Sequence, residues 1–254
     1  MSTLRQNLAA LLMIAVGGTM AHAESKPAAK DIVIVHGALV DAAGWRAVYD
    51  ILSKDGFNVT LVQEPLTGLA EDVEATERAI DQQSGPVVLV GHSYAGAVIT
   101  EAGAEPKVSA LVYVAALQPD AGEAGGQLMS KFAAPNNAMR AATNRSTQDK
   151  FFFVPRAKFH ETYAADISAA DAKFFAHSQQ QLAEKALAAP VSTAAWRTKP
   201  SYAVLTTQDR IINPELQRWM YQRSGAKVTE VKASHAVFLS QPEAVARVIE
   251  AAAK

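Results

Sequence analysis

Pro86-Val87-Val88-Leu89-Val90-Gly91-His92-Ser93-Tyr94-Ala95-Gly96-Ala97-Val98-Ile99 is the stretch on which the reading of this chain turns. A short apolar run stops at small residues and a serine, and an Ala-rich, helix-compatible segment begins at once. An apolar run bounded by Gly reads as a strand buried on both faces. Strand passes to helix with no spacer, so the turn between them must be tight. Gly91 and Ala95 flank Ser93 at a spacing of two, the G-x-S-x-G nucleophile-elbow pattern with Ala in place of the last Gly. Such a turn strains the serine backbone and lifts its Oγ clear of the sheet. It also aims N–H groups from the helix start at the same space, where an anion could sit. The same string can arise as a Gly-rich bend between any buried strand and helix. The flanking strand and helix, and two further motifs on either side, weigh against that plainer reading.

Outward from this stretch, 254 residues suffice for one large α/β domain or two small ones. A hydrophobic share of 49% against 19% charged residues supports a large core. The formal net charge of −1 argues against nucleic acid as a partner. There are no cysteines, which excludes disulfides, thiolate metal sites and a Cys nucleophile. At the start, Arg5 precedes an apolar run, Leu8 to Val16, and Ala21-His22-Ala23 forms an A-x-A cleavage site. Residues 1–23 are therefore expected to be a signal peptide, removed on export to a bacterial periplasm or medium. The alternative is a membrane anchor, but the run is short for a bilayer and Gly17-Gly18 breaks it. No stable membrane insertion is expected after cleavage, and residues 24–30 read as a flexible lead-in.

Taken in order, Asp31 to Val35 is a second buried-strand run, ending at His36-Gly37-Ala38. Residues 43–54 read as a helix with Trp45, Val48, Ile51 and Leu52 on one face. A strand follows at Asn58 to Val62, then a helix over 71–83 with acids in its first turn. After the elbow strand and its helix comes a strand over 108–115. This alternation means βαβ units and a parallel sheet. The rhythm breaks between Leu117 and Lys199, where helical pieces are expected around 157–164 and 169–188. Phe151, Phe152, Phe153, Phe159, Tyr163, Phe174 and Phe175 cluster there. Most should form the core of a small helical subdomain, and a few should face Ser93 across an apolar pocket. Strands resume at 202–207 and 227–231, with a helix begun by Pro214 between them and a closing helix over 241–252.

A serine hydroxyl is a poor nucleophile at neutral pH and needs a base, which needs an orienting acid. Of six histidines, His22 leaves with the signal peptide and His92 sits inside the elbow. His160 and His177 lie in the inserted region without recognisable context, and His36 belongs to the His-Gly loop. His235 lies in a loop after the last strand. It fits the nucleophile, acid, histidine order that accompanies such an elbow. Asp209 and Asp120 both satisfy that order as the acid. The oxyanion hole needs two N–H donors, one of them from Tyr94, the residue after the nucleophile.

With these pieces together the chain resembles the α/β-hydrolase superfamily. Val35-His36-Gly37-Ala38, Gly44-Trp45, Gly91-His92-Ser93-Tyr94 and the Gln208-Asp209 and Ser234-His235 loops are similar to its branch of plant methyl esterases, hydroxynitrile lyases and small bacterial esterases. The resemblance implies a mostly parallel sheet flanked by helices, with a core over 31–117 and 199–254 and a helical cap over about 118–198 inserted after the strand near 108–116. It implies Asp209 as the acid, since the loop from Thr207 to Pro214 is similar to the family's acid loop, and the N–H of Ala38 as the second oxyanion donor. Lyase members carry Lys after the histidine and a hydroxyl residue where Gly37 stands; Ala236 and Gly37 speak against cyanide elimination. The expectation is a carboxylesterase for a small-to-medium apolar ester, with no metal or organic cofactor and oligomeric state left open. The same residues would serve on an amide, lactone or thioester, in acyl transfer, in an interfacially activated lipase, or in a ligand-binding protein on a hydrolase scaffold.

Overall fold

Runs such as Ile32-Val33-Ile34-Val35 and Val87-Val88-Leu89-Val90 are too apolar to face water on either side, and a parallel sheet covered on both faces accommodates them. The computed structural model describes residues 29–132 and 150–254. The signal peptide expected over 1–23 and residues 24–28 of the flexible lead-in expected over 24–30 lie outside the described residues; within that lead-in Ala29 is instead buried, its N–H donating to Ala253 C=O at 3.0 Å. Eight strands are described: β1 (Asp31–Val35), β2 (Asn58–Val62), β3 (Val87–His92), β4 (Val108–Val114), β5 (Phe151–Phe152), β6 (Leu182–Ala183), β7 (Ser201–Thr206) and β8 (Lys227–Val231). Six of them form one sheet in the order β2-β1-β3-β4-β7-β8, and every pairing in it is parallel. The chain runs from β1 out to β2 and returns to β3, so the direction of winding reverses beside β1 and β3. Ligand crevices open at such points, beyond the carboxyl ends of the strands.

Helices flank the sheet, with Arg46–Lys54 packed on Pro242–Ala252 and Leu69–Asp81 packed on Ala95–Ala102. Trp45, Val48 and Leu52 are fully buried, as the expected apolar face requires. The helix expected over 169–188 is broken. It runs Ala169–Ser178, gives way to β6, and resumes as Glu184–Ala188. The backbone bonds that would continue it are spent on the core instead: Leu39 N–H donates to Gln180 C=O at 2.9 Å and Ala183 N–H to Leu66 C=O at 2.9 Å. β5 and β6 pair antiparallel, a small ladder in a region expected to be helical. A one-turn helix, Val237–Ser240, lies between the loop expected at 234–236 and the closing helix. Of the aromatic cluster, Phe159 and Tyr163 are buried, whereas Phe174 is 67% exposed and belongs to no core.

At the elbow the tightest packing falls one residue beyond the motif. A Cβ at Gly96 would lie 1.9 Å from Leu117 O and 2.8 Å from Ala116 Cβ. Ala95, where the usual pattern has Gly, fits as a fully buried methyl. Gly to Ala in a helix ordinarily stabilises by about 1 kcal/mol. At position 96 the sign should reverse, with Gly96→Ala lowering stability by at least the roughly 1–3 kcal/mol typical of overpacking. Denaturant unfolding of the two proteins measures this.

Candidate active site

The backbone at Ser93 has φ +55°, a conformation that costs an L-residue about 1–2 kcal/mol. Three main-chain bonds hold it there: Ser93 N–H donates to Val114 C=O at 3.2 Å, and its carbonyl accepts from Gly96 N–H at 3.1 Å and Leu117 N–H at 3.0 Å. The carboxyl end of β4 thus clamps the bend. Register does the rest of the placing. Val35 pairs with Gly91, so the loop after β1 lies beside the loop after β3. Thr206 pairs with Val231, so the loops after β7 and β8 also emerge side by side.

From those two loops come Asp209 and His235. His235 Nε2 lies 2.8 Å from Ser93 Oγ, and Nδ1 lies 2.8 Å from Asp209 Oδ2. A carboxylate only accepts, so Nδ1 carries the hydrogen and the Nε2 lone pair faces the serine hydroxyl. Both partners of the histidine are buried. Asp209 is a well-satisfied buried carboxylate: Oδ1 accepts from Ile211 N–H at 2.8 Å and Ile212 N–H at 2.9 Å, and Oδ2 also accepts from Thr206 Oγ1 and Gln217 Nε2, each at 2.9 Å. That shell is what makes a buried charge tolerable. Asp120 is elsewhere. Its carboxylate pairs with Arg197, which holds it below the usual carboxylate range, and of the two acids only Asp209 meets His235.

Ala38 and Tyr94 line the same cavity as Ser93, about 70 Å³ in volume. Neither N–H finds an acceptor among the described residues. The Ala38 loop presses directly on the elbow, since a Cβ at Gly37 would lie 2.7 Å from Ser93 Cβ and 2.6 Å from His92 Nδ1. The two motif histidines brace this contact. His36 Nε2 accepts from Glu64 N–H at 3.1 Å, leaving Nδ1–H to donate to Gly37 C=O at 2.8 Å. His92 Nε2–H donates to the His235 carbonyl at 3.0 Å. Burial lowers both pKa values, that of His92 strongly, so both rings are neutral. Among the described residues no three His, Cys, Asp or Glu side chains converge as a metal site requires.

Several neighbours escaped the sequence reading. Gln217 lies on the helix begun by Pro214 and binds Asp209 from there. Its position reads as one polar residue on an amphipathic face. Tyr94 donates its hydroxyl to Asp72 Oδ2 at 2.8 Å, and Asp72 Oδ1 accepts from Leu66 N–H at 2.8 Å. Beside them Glu64 is buried with no partner for either carboxyl oxygen among the described residues. Desolvation raises the Glu64 pKa well above its ordinary value, with help from Asp72. Desolvation likewise raises Asp72 to about 6, against the pull of the Tyr94 hydroxyl and the Leu66 N–H. No periodicity marks these acids as a buried pair.

A family model described as "Alpha/beta hydrolase family" matches residues 32–248. The chain is similar to a putative chloroplastic methylesterase 11 of Arabidopsis thaliana, 27% identical over 85% of this chain and 62% of that protein, so the match spans under two thirds of that relative's length. It is also similar to an alpha/beta hydrolase, nvfD, of Aspergillus novofumigatus, 28% identical over 90% of this chain and 97% of that one. Among solved structures, a pyrethroid hydrolase from Sphingobium faniae JZ-2 superposes with a TM-score of 0.74 at 20% identity, covering 89% of this chain and 97% of its own. At that identity the likeness is one of fold.

The two buried acids set a sign for stability against pH. Both hold their protons more tightly folded than unfolded, so their contribution is complete below the unfolded pKa and is lost as pH rises through the folded one. Removing the uncompensated Glu64 carboxyl with Glu64→Gln should flatten the decline of stability between pH 5 and pH 8, and the variant should be the more stable protein at pH 8. Urea unfolding across that range reads the difference. Parallel curves for the two proteins would contradict a raised Glu64.

Proposed function

The chain belongs to the alpha/beta hydrolase family, and we propose from the chemistry of its site that it is a serine esterase acting on a small-to-medium apolar carboxylic ester. The observation that carries this reading is the unbroken Ser93–His235–Asp209 hydrogen-bond chain, buried beside an apolar cavity. A relative named as a putative methylesterase supports the hydrolysis of esters as the chemistry.

Ser93 Oγ attacks the ester carbonyl as its proton passes to His235 Nε2. Asp209 keeps Nδ1–H aligned and balances the imidazolium charge that develops. The carbonyl oxygen, now an anion, takes hydrogen bonds from the Ala38 and Tyr94 N–H groups, each such donor being worth about 3–4 kcal/mol. Collapse expels the alcohol, which leaves with the proton from His235. Water then gives a proton to the same nitrogen as it attacks the acyl-serine, and that proton passes from His235 to Ser93 Oγ as the acid departs. The strained turn is useful here because it holds Ser93 on the wall of the cavity. Around it, Leu117, Met129, Phe152, Phe153 and Ile212 offer an acyl chain apolar side chains. A charged acyl group would lose its hydration with nothing to replace it.

Ser93→Ala should lower kcat by about 10⁶-fold, and a fluorophosphonate probe should label the wild type at Ser93 and not the variant. Near-normal turnover in Ser93→Ala would end the proposal. Across p-nitrophenyl esters of graded acyl length, neutral alkanoyl esters should be cleaved far faster than a hemisuccinate of similar size. A preference for the charged ester would overturn the substrate class.

A further inference from the structure

Tyr163 reaches the site from the segment between β4 and β7, and no step above uses it. It is fully buried and lines the same cavity as Ser93. Its hydroxyl donates to the Ala38 carbonyl at 3.0 Å. Its ring meets the His235 ring edge to face, with centroids 4.9 Å apart and planes at 82°. Its own carbonyl lies 3.4 Å from the Oγ of Ser234, one residue before the histidine; that hydroxyl donates to Asp166 Oδ1. One side chain therefore touches both the loop offering the Ala38 N–H and the imidazole that must take the Ser93 proton.

The Ala38 loop needs such a hold. Leu39 lies at φ +70°, an uncommon and costly conformation for a bulky residue that persists only where its surroundings enforce it. The peptide between Ala38 and Leu39 is gripped at both polar atoms, its carbonyl by Tyr163 and its N–H by Gln180 C=O at 2.9 Å. Without the Tyr163 hydroxyl, the Ala38 carbonyl loses its buried donor and Leu39 is freer to return to negative φ. The adjoining Ala38 N–H would turn with it. Oxyanion donors act only when aimed at the oxygen of the transition state, so a small rotation there is felt as rate. The Tyr163 ring, meanwhile, closes one side of the imidazole and opposes its rotation away from Ser93. Burial raises the Tyr163 pKa well above its usual value, so the hydroxyl serves as a donor throughout the working pH range.

We propose that Tyr163 is a positioning residue, through which the segment between β4 and β7 holds the oxyanion loop and His235 in register with Ser93. The inference rests on the serine-esterase reading. Tyr163→Phe tests it, because the ring stays and one hydrogen bond goes. Active sites are counted by end-point fluorophosphonate titration. kcat and KM for p-nitrophenyl butyrate are then measured, together with the Ki of an alkyl boronic acid that forms a tetrahedral adduct on serine. Expected is a fall in kcat per titrated site of about 10- to 100-fold, part of the 10²–10³-fold typical of losing an oxyanion donor outright. KM should stay within about threefold, and the boronate Ki should weaken by the same factor as kcat/KM. Tyr163→Leu, which removes the ring as well, should lose more. If kcat per titrated site and boronate Ki in Tyr163→Phe stay within twofold of wild type, Tyr163 only fills space and the proposal is overturned. A loss confined to KM, or to the number of titratable sites, overturns it too. Should the wild type itself fail to label at Ser93, the esterase reading falls first and this inference with it.

Discussion

A strand that becomes a helix within two residues has room for almost nothing around it, and that reversal at Ser93 is the constraint the rest of the structure meets. The serine is held at positive φ by bonds to the end of β4. The two chains that approach it most closely do so against glycines: Leu117 O against Gly96, and the elbow itself against Gly37. Side chains at these places would push apart the surfaces that keep Oγ beside the imidazole. The strain is local, and the clamp that sustains it is borrowed from neighbouring strands. That is how a costly backbone conformation survives in a protein only marginally stable overall.

Two buried carboxylates near the bend are treated in opposite ways. Asp209 receives two backbone N–H groups, a hydroxyl, an amide and an imidazole N–H, and so can carry a charge in the interior. Glu64 receives nothing among the described residues, and desolvation drives it toward its neutral form. Between them, the neutral rings of His36 and His92 spend their hydrogen bonds on main-chain groups of the loops that flank Ser93. Asp209 is thus equipped to hold charge beside His235, where acyl transfer would require it, and Glu64 is not.

The segment between β4 and β7 contributes bracing as well as cover. Tyr163 and Gln180 hold the loop after β1. Asp166 accepts from the N–H of Ser234, in the loop that carries His235, and from Ser240 Oγ, on the one-turn helix after it, both at 2.9 Å. Arg210, next to Asp209, donates to the Glu161 carbonyl at 2.7 Å. Three separate loops of the sheet thus lean on one stretch of chain. Its own anchorage includes Arg223, stacked between Trp196 and Trp219 and paired with Glu123.

What the sequence determined by itself was whatever depends on near neighbours in the chain. Buried strands, the abrupt elbow at Ser93 and the alternation that means a parallel α/β sheet all follow from patterns a few residues long, because backbone geometry and side-chain periodicity act at that range. Composition and spacing could not choose between Asp120 and Asp209, since both follow a strand and precede a helix; resemblance favoured Asp209. Tertiary structure parts them, because β7 and β8 are neighbours in the sheet and open toward each other, whereas Asp120 is drawn outward to Arg197. Nor could any local pattern show Gln180 leaving a helix to bond Leu39, Tyr163 turning inward while Phe174 turns out, or Glu64 and Asp72 burying together. Those outcomes rest on contacts between residues far apart in sequence. A side chain's neighbours there are set by how whole elements pack, and no short window of the chain records them.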